Sequence, residues 1–456
     1  MIEPFDTNEN LDSSYISNSK KAKKKFNRKL VIVLTPIIIT LIIIGIIIIV
    51  LSNSDFKKYK IEIICYYKVE KENLEINILS EEYEKASNIS IYIDDKIIEY
   101  NIKYKFKKDG THKVKFILNK LLYLENMFKD VKYLYNVTIS SAEKASFDFS
   151  LSKAFYNCEN LKYFKSSINP GKIFDMSFMF FNCKNLEVVV FDNFGDSNKN
   201  LSHIFENCEK LTSLKLNTGM VEDMSYMFYN SKINLINLIE NLNTSNAKNM
   251  SHMFSHCTSL TSLTLDKLDT SSVLDMSNMF SHCTSLEELN IEALNTTSVI
   301  DMSYMFSHCT SLEDLNLETL NTSSVIDMSY MFSHCTSIID LNLNSFKTHL
   351  VKDMSHMFEN CEKISDIHLS QINSSLVNDM SYMFANCKQI KILDIFNFNI
   401  SNAEDMSFMF YNCINLNKLN KNISFIPNNN TNITGMFENC KSNIIPDWYY
   451  NRTSAC

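Results

Sequence analysis

The chain has 456 residues, 45% hydrophobic, 12% aromatic and 21% charged, so it holds ample material for a buried core and is not a disordered chain. Its six glycines (Gly45, Gly110, Gly171, Gly195, Gly219 and Gly435) stand singly, which excludes glycine-rich phosphate loops and the nucleotide enzymes built on them. The net charge is −8, with −13 carried by residues 121–456, and that acidity argues against nucleic-acid binding.

Residues 1–29 form a basic tail. Leu30 to Leu51 follow as 22 uncharged, mostly Ile, Leu and Val residues, enough helix to cross roughly 30 Å of hydrocarbon. Lys20, Lys21, Lys23, Lys24, Lys25, Arg28 and Lys29 precede the run and only Lys57, Lys58 and Lys60 follow it closely. The positive-inside rule therefore predicts a single-pass transmembrane signal anchor in the cell membrane, with the rest of the chain extracellular or lumenal. A cleaved signal peptide ending near Ser52-Asn53-Ser54 is the alternative.

Residues 52–120 read as a β-rich module or solenoid cap. Ile61 to Val69 and Ile89, Ile91 and Ile93 suggest strands. Tyr100, Ile102, Tyr104 and Phe106 alternate with lysines, Asp109-Gly110 supplies a turn, and Val114, Phe116 and Leu118 alternate again, which predicts a β-hairpin.

Residues 121–446 repeat. A Phe recurs at 155, 180, 205, 228, 254, 280, 306, 332, 358, 384, 410 and 437, mostly at a 26-residue step, and a degenerate unit surrounds Phe128. Within a unit, Met302, Met305, Phe306 and Cys309 fall at i, i+3, i+4 and i+7, the spacing of a short helix with Asp301 as its N-cap. Leu312, Leu315 and Leu317 then give a strand, and Asn321 to Ser324 a polar turn. Such a unit has too little core to stand alone, so units must stack. The predicted class is α/β, a leucine-rich-repeat solenoid with one short helix and one strand per unit, a β-rich N-terminal module, one transmembrane helix and a tail over 447–456.

The pattern C-x-x-L-x-x-L-x-L, a turn, then M-S-x-M-F, as in Cys283 to Phe306, resembles the BspA-like leucine-rich repeats, especially the 26-residue repeat of mycoplasma and lactobacillus surface proteins. The chain departs from the shorter treponemal form, which has Pro after the strand where Glu292, Glu318 or Asn344 stands here. The resemblance implies a surface-displayed solenoid used for adhesion or recognition rather than catalysis.

Eleven of the thirteen cysteines (Cys158, Cys183, Cys208, Cys257, Cys283, Cys309, Cys335, Cys361, Cys387, Cys413 and Cys440) share one inward position, which reads as core rather than cross-links. Cys65 and Cys456 lie outside the pattern and could pair between chains. His256, His282, His308 and His334 repeat in four units, and His252 precedes His256 by four residues, a spacing that can hold a metal on a helix. Without an HExxH arrangement, a structural ladder is the better reading. No catalytic elbow, cofactor motif or metal site is expected, so the sequence points away from an enzyme. Sequons such as Asn243, Asn249, Asn295, Asn321, Asn373 and Asn399 read either as glycosylation sites or as chance in an Asn-rich, Ser-rich chain.

Strand alternation turns the residues flanking Leu289, Leu315, Leu341 and Ile367 outward. They make two columns: Glu288, Asp314, Asp340 and Asp366, and beside them Asn290, Asn316, Asn342 and His368. These eight are the candidate ligand-binding residues. The expected partner is an extracellular protein or glycan, bound through a cationic group or a divalent cation; a structural spacer without a specific ligand is the alternative. Other than Leu30 to Leu51, nothing in the sequence indicates a membrane contact.

Overall fold

The computed structural model describes residues 60–453 apart from 84–88, 119–123, 142–147, 169–171, 193–196, 233–238, 240–241 and 424. The first strand, β1 (Ile61–Val69), is buried on alternate residues. It is followed by β2 (Leu74–Asn77), β3 (Ile89–Ile93), β4 (Lys96–Ile98), β5 (Lys103–Phe106), β6 (Gly110–Leu118) and β7 (Leu134–Ser141). The predicted hairpin does not form. β6 lies antiparallel between β1 and β3, whereas β5 pairs with β2. The apolar alternation of β6 continues through Phe116 and Leu118, and β1 offers nine residues of matching register, Ile61 opposite Leu118 through Val69 opposite Gly110. That length of pairing outcompetes a four-residue local partner.

β7 is the join between the two textures. It runs antiparallel to β1 on one side and parallel to Tyr163–Ser166 on the other, and the parallel ladder continues into Val188–Phe191 and Ser213–Lys215. The N-terminal strands thus cover the first coil's backbone edge, which would otherwise be open to pairing with another chain.

Each later unit is one coil of a leucine-rich β-solenoid, and here the expected helix per unit is corrected. None of the described residues between 242 and 439 is helical; the described α-helix is Asp447–Thr453, beyond the last coil. In the segment after Asp301 the backbone amides alternate between two destinations. Met302, Tyr304, Phe306 and His308 donate to the next coil, to the carbonyls of Asp327, Ser329, Met331 and Ser333 at 2.8–3.1 Å. Met305, Ser307 and Cys309 close turns onto the residue three before, at 3.0–3.3 Å. A helix would spend these amides within its own coil and leave this side of the stack without backbone bonds between coils. Two successive turns satisfy them while stitching neighbours together.

The turns require left-handed backbone at two positions per coil, φ 56° at Tyr304 and 60° at His308. At the second position every coil uses Asp, Asn or His, from Asp130 to Asn439, the residue types that tolerate this region best. Apolar spacing therefore identified the buried face correctly, since Met302, Met305, Phe306 and Cys309 are all buried, but not the backbone beneath it. Asp301 is likewise no helix cap: its Oδ1 accepts the Ser303 amide at 2.8 Å, a local Asx turn.

The core is a set of ladders. Thirteen phenyl rings from Phe128 to Phe437 stack coil on coil with centroids 5.2 to 6.1 Å apart. The cysteines of the repeat are free thiols beside them, each donating to the Phe carbonyl of an earlier coil, as Cys309 Sγ does to Phe280 at 3.2 Å. Burial pushes these thiols well above their ordinary range, for Cys257 up to about 12. Cys65 is buried too, so it is not available to pair between chains. Buried hydroxyls form a further ladder: Thr296 Oγ1 donates to the Asn321 carbonyl at 2.9 Å and accepts the Asn321 amide at 2.8 Å.

Gly435 replaces the half-buried side chain of the first left-handed position in the final coil, at φ 62°. A Cβ there would overlap the ring of Phe408. Gly435→Ala is expected to lose about 1–3 kcal/mol from left-handed strain and overpacking. The check is a denaturant midpoint, with increased protease cutting confined to the last coils.

The predicted membrane span, and with it the single-pass cell-membrane location, is not upheld. No helix among the described residues is long and apolar enough to cross a membrane, and Leu30–Leu51 lies outside those residues.

Candidate functional site

The two outward columns arise because each coil's strand has one inward residue between two exposed ones. Glu288–Asn290, Asp340–Asn342 and Asp366–His368 share the pattern exposed, buried, exposed. Asp314 and Asn316 are exposed around buried Leu315, but that coil forms no strand ladder. The parallel ladder joins Ser262–Thr264 to Glu288–Asn290, breaks, and resumes between Asp340–Asn342 and Asp366–His368. The break coincides with the densest negative charge, where Glu287 and Glu288 meet Glu313 and Asp314 on neighbouring coils. Like charges on adjacent strands oppose close pairing.

The eight candidate residues consequently fall into two groups. Asp340 lies directly beside Asp366 and Asn342 beside His368. His368 Nε2 sits 3.5 Å from Asp340 Oδ1 and 4.0 Å from Asp366 Oδ2. One donor atom of each of these three residues lies within 4.8 Å of the others, an exposed oxygen and imidazole set of the kind that takes a divalent cation. Glu288, Asn290, Asp314 and Asn316 instead line an open concavity of about 520 Å³ with Glu287, Glu292 and Ser262. Glu288 and Asp314 make no ion pair among the described residues. Asp366 and His368 also border a second concavity of about 460 Å³, which Lys391 and Asp394 enter.

The asparagines carry a structural duty that the columns alone do not reveal. Asn290, Asn316 and Asn342 each accept, through Oδ1, the amide two residues on, at 3.0–3.1 Å, and so close the turn after the strand. Only their Nδ2 groups face outward chemistry, and that of Asn316 already donates to Glu292 Oε1 at 2.9 Å. Glu287 and Glu292 were missed as site residues; their signal was the second acid beside each column. The sequons have the same explanation: Asn243, Asn249, Asn295, Asn321, Asn373 and Asn399 each accept the amide of the Ser or Thr two residues later at 2.9–3.2 Å. Turn chemistry accounts for their recurrence.

The histidines do not converge. With no helix, His252 and His256 occupy different left-handed positions and join different columns, His252 stacking on Tyr226 at 4.2 Å. His256, His282, His308 and His334 stack in parallel at 4.2–4.3 Å. Parallel rings aim their nitrogens side by side rather than at one point, as a shared ligand sphere would need. Burial lowers His252 and His308 to about 4, aided by neighbouring imidazoles, and lowers His256 and His282 in the same direction.

A family model described as "Mycoplasma protein of unknown function, DUF285" matches residues 149–262, 199–288, 219–341, 256–366 and 332–448, in overlapping windows that cover most of the solenoid. The chain belongs to this family. The DUF285 match establishes a repeat family and does not single out the BspA-like type. No curated protein matches the chain. Among solved structures, the DUF285 chain is similar to one described as a TLR13–ssRNA13 complex (15% identity, 60% of this chain and 43% of that one, TM-score 0.23). It is also similar to a leucine-rich repeat protein from Eubacterium ventriosum (12% identity, 69% of this chain and 92% of that one, TM-score 0.31). The match spans less than half the length of the first of these.

Proposed function

We propose that this DUF285 protein is a recognition module that captures a cationic macromolecular partner on its outward strand face. The observation that supports the reading is the run of exposed carboxylates Glu288, Asp314, Asp340 and Asp366, of which Glu288 and Asp314 line one concavity and Asp366 borders another, with no Lys or Arg ion-paired to any of the four among the described residues. A stack held together solely by its core gains nothing from like charges on successive coils, whereas a binding face uses them for steering and specificity. Asp340, Asp366 and His368 offer a place where a divalent cation would bridge to an anionic group of the partner. The BspA-like resemblance supports recognition over catalysis.

The test is capture of polylysine by immobilised full-length protein. Replacing Glu288, Asp314, Asp340 and Asp366 together by Asn is expected to weaken capture by at least about tenfold at low salt, with the wild-type affinity falling as salt rises. The fold should persist, since none of the four side chains is buried. Unchanged capture by the folded variant would instead leave the solenoid as a structural spacer or move binding to another face.

A further inference from the structure

Rings at the first left-handed position form a column along the solenoid surface. Phe178, His203, Tyr226 and His252 stack at 4.2–4.3 Å. The column resumes with Tyr304 and Tyr330 at 4.3 Å and runs on through His356 and Tyr382 to Phe408. One coil between the two runs lacks a ring. It carries Asn278, at φ 57° like its neighbours and half-buried, with a side chain too short to fill a ring's place.

His252 and Tyr304 therefore stand two coil steps apart with Asn278 between them. Two such steps leave room for one planar group at van der Waals contact of about 3.5 Å on each face. A groove of about 300 Å³ runs between this column and the neighbouring histidine column, from Tyr226 to His334, and the gap at Asn278 opens into it between His252 and Tyr304, facing His256 and His282. That volume lies at the small end of ligand pockets, and the lining combines π faces with a few polar groups, as such pockets do.

We propose that the slot between His252 and Tyr304 binds a small planar heteroaromatic molecule of the purine or indole class. The two rings sandwich the ligand, as aromatic side chains do with unstacked bases. The Asn278 side-chain amide, with no hydrogen-bond partner among the described residues, offers a donor and an acceptor to the ligand edge. The imidazoles are neutral at physiological pH because burial lowers their affinity for protons, so they stack as π surfaces without attracting anions. The net negative charge of the chain favours neutral or cationic ligands over phosphorylated ones. This site shares no residue with the acidic strand face, so its failure leaves the proposed function untouched.

The test is ligand-observed saturation-transfer NMR on the full-length protein with adenine, indole and adenosine monophosphate as probes. Adenine or indole should give saturation transfer, with the monophosphate weaker. Asn278→Tyr completes the column with the residue found at Tyr226, Tyr304, Tyr330 and Tyr382, so it should fold, raise the thermal midpoint and weaken binding at least about tenfold, the scale of one lost stacking partner. Tyr304→Leu, which removes one face and leaves the slot open, should weaken binding similarly. The proposal is overturned if neither adenine nor indole binds at millimolar concentration, or if binding survives both substitutions. A stabilised Asn278→Tyr protein whose wild type binds nothing would show the gap to be a packing defect only.

Discussion

Replacing Phe306 by Ala is expected to cost about 3–5 kcal/mol, the range for removing a fully buried phenyl ring. Phe306 is wholly buried and stacks on Phe280 at 5.7 Å and Phe332 at 5.5 Å. Its carbonyl accepts both the Cys309 amide and the Cys335 thiol, so a shift of its backbone disturbs the next coil as well. Contacts in a solenoid run only to neighbours, and the damage should stay within a few coils. Hydrogen exchange read coil by coil checks this: amides around Met302 to Cys335 should lose protection while those near Cys158 and Cys413 keep it. Uniform loss along the chain would contradict a nearest-neighbour stack.

Acidification should destabilise the solenoid, and the half-buried histidines of its two ring columns are the reason. His252 and His308 take a proton only near pH 4 in the fold, against an ordinary 6.5, with His256 and His282 displaced in the same direction. As pH falls below 6.5 the unfolded chain binds protons that the folded chain refuses, so stability present above 6.5 is progressively lost down to about 4. Asp327 acts with the opposite sign. Burial raises its carboxyl, so the folded state protonates first and gains stability as pH falls. The thermal midpoint should drop by several degrees between neutral pH and about pH 5, because four displaced imidazoles outweigh one carboxyl. Replacing His256, His282, His308 and His334 together by Asn should shrink that drop, leaving the part that His252 contributes from the other column. The backbone accepts the change: Asn360, Asn386 and Asn412 hold the same position at φ 58–60°, and their amides form a ladder of their own, with Asn386 Nδ2 donating to Asn360 Oδ1 at 2.8 Å. An undiminished drop in the tetra-Asn variant would place the acid sensitivity outside this column.

The candidate site was legible in part. Alternation about Leu289, Leu315, Leu341 and Ile367 identified which residues face outward, because the side-chain period of an extended chain is independent of its neighbours. It did not identify which of them meet. The ladder break around Asp314, the clustering of Asp340, Asp366 and His368, and the use of Asn290, Asn316 and Asn342 to close turns depend on register between coils. The aromatic gap at Asn278 was equally hidden. Its ring-bearing neighbours are 26 residues away on either side, and nothing local says that they stack.

By itself the sequence determined the repeat, its phase and its buried positions. A 26-residue recurrence of Phe, Met, Leu and Cys admits few arrangements that bury all of them, and stacking is the one that does. Only the tertiary structure decided the backbone that carries them. Apolar spacing of i, i+3, i+4 and i+7 suits a helix, but it suits two consecutive left-handed turns equally well, since both bring those four side chains to one side. The choice falls to the amides of Met302, Tyr304, Phe306 and His308, which find carbonyls in the adjacent coil. Those partners lie about 25 residues along the chain, beyond any local pattern. The recurrent Asn and His at the second turn were the one visible trace of that choice, because left-handed backbone selects residues by their own sterics.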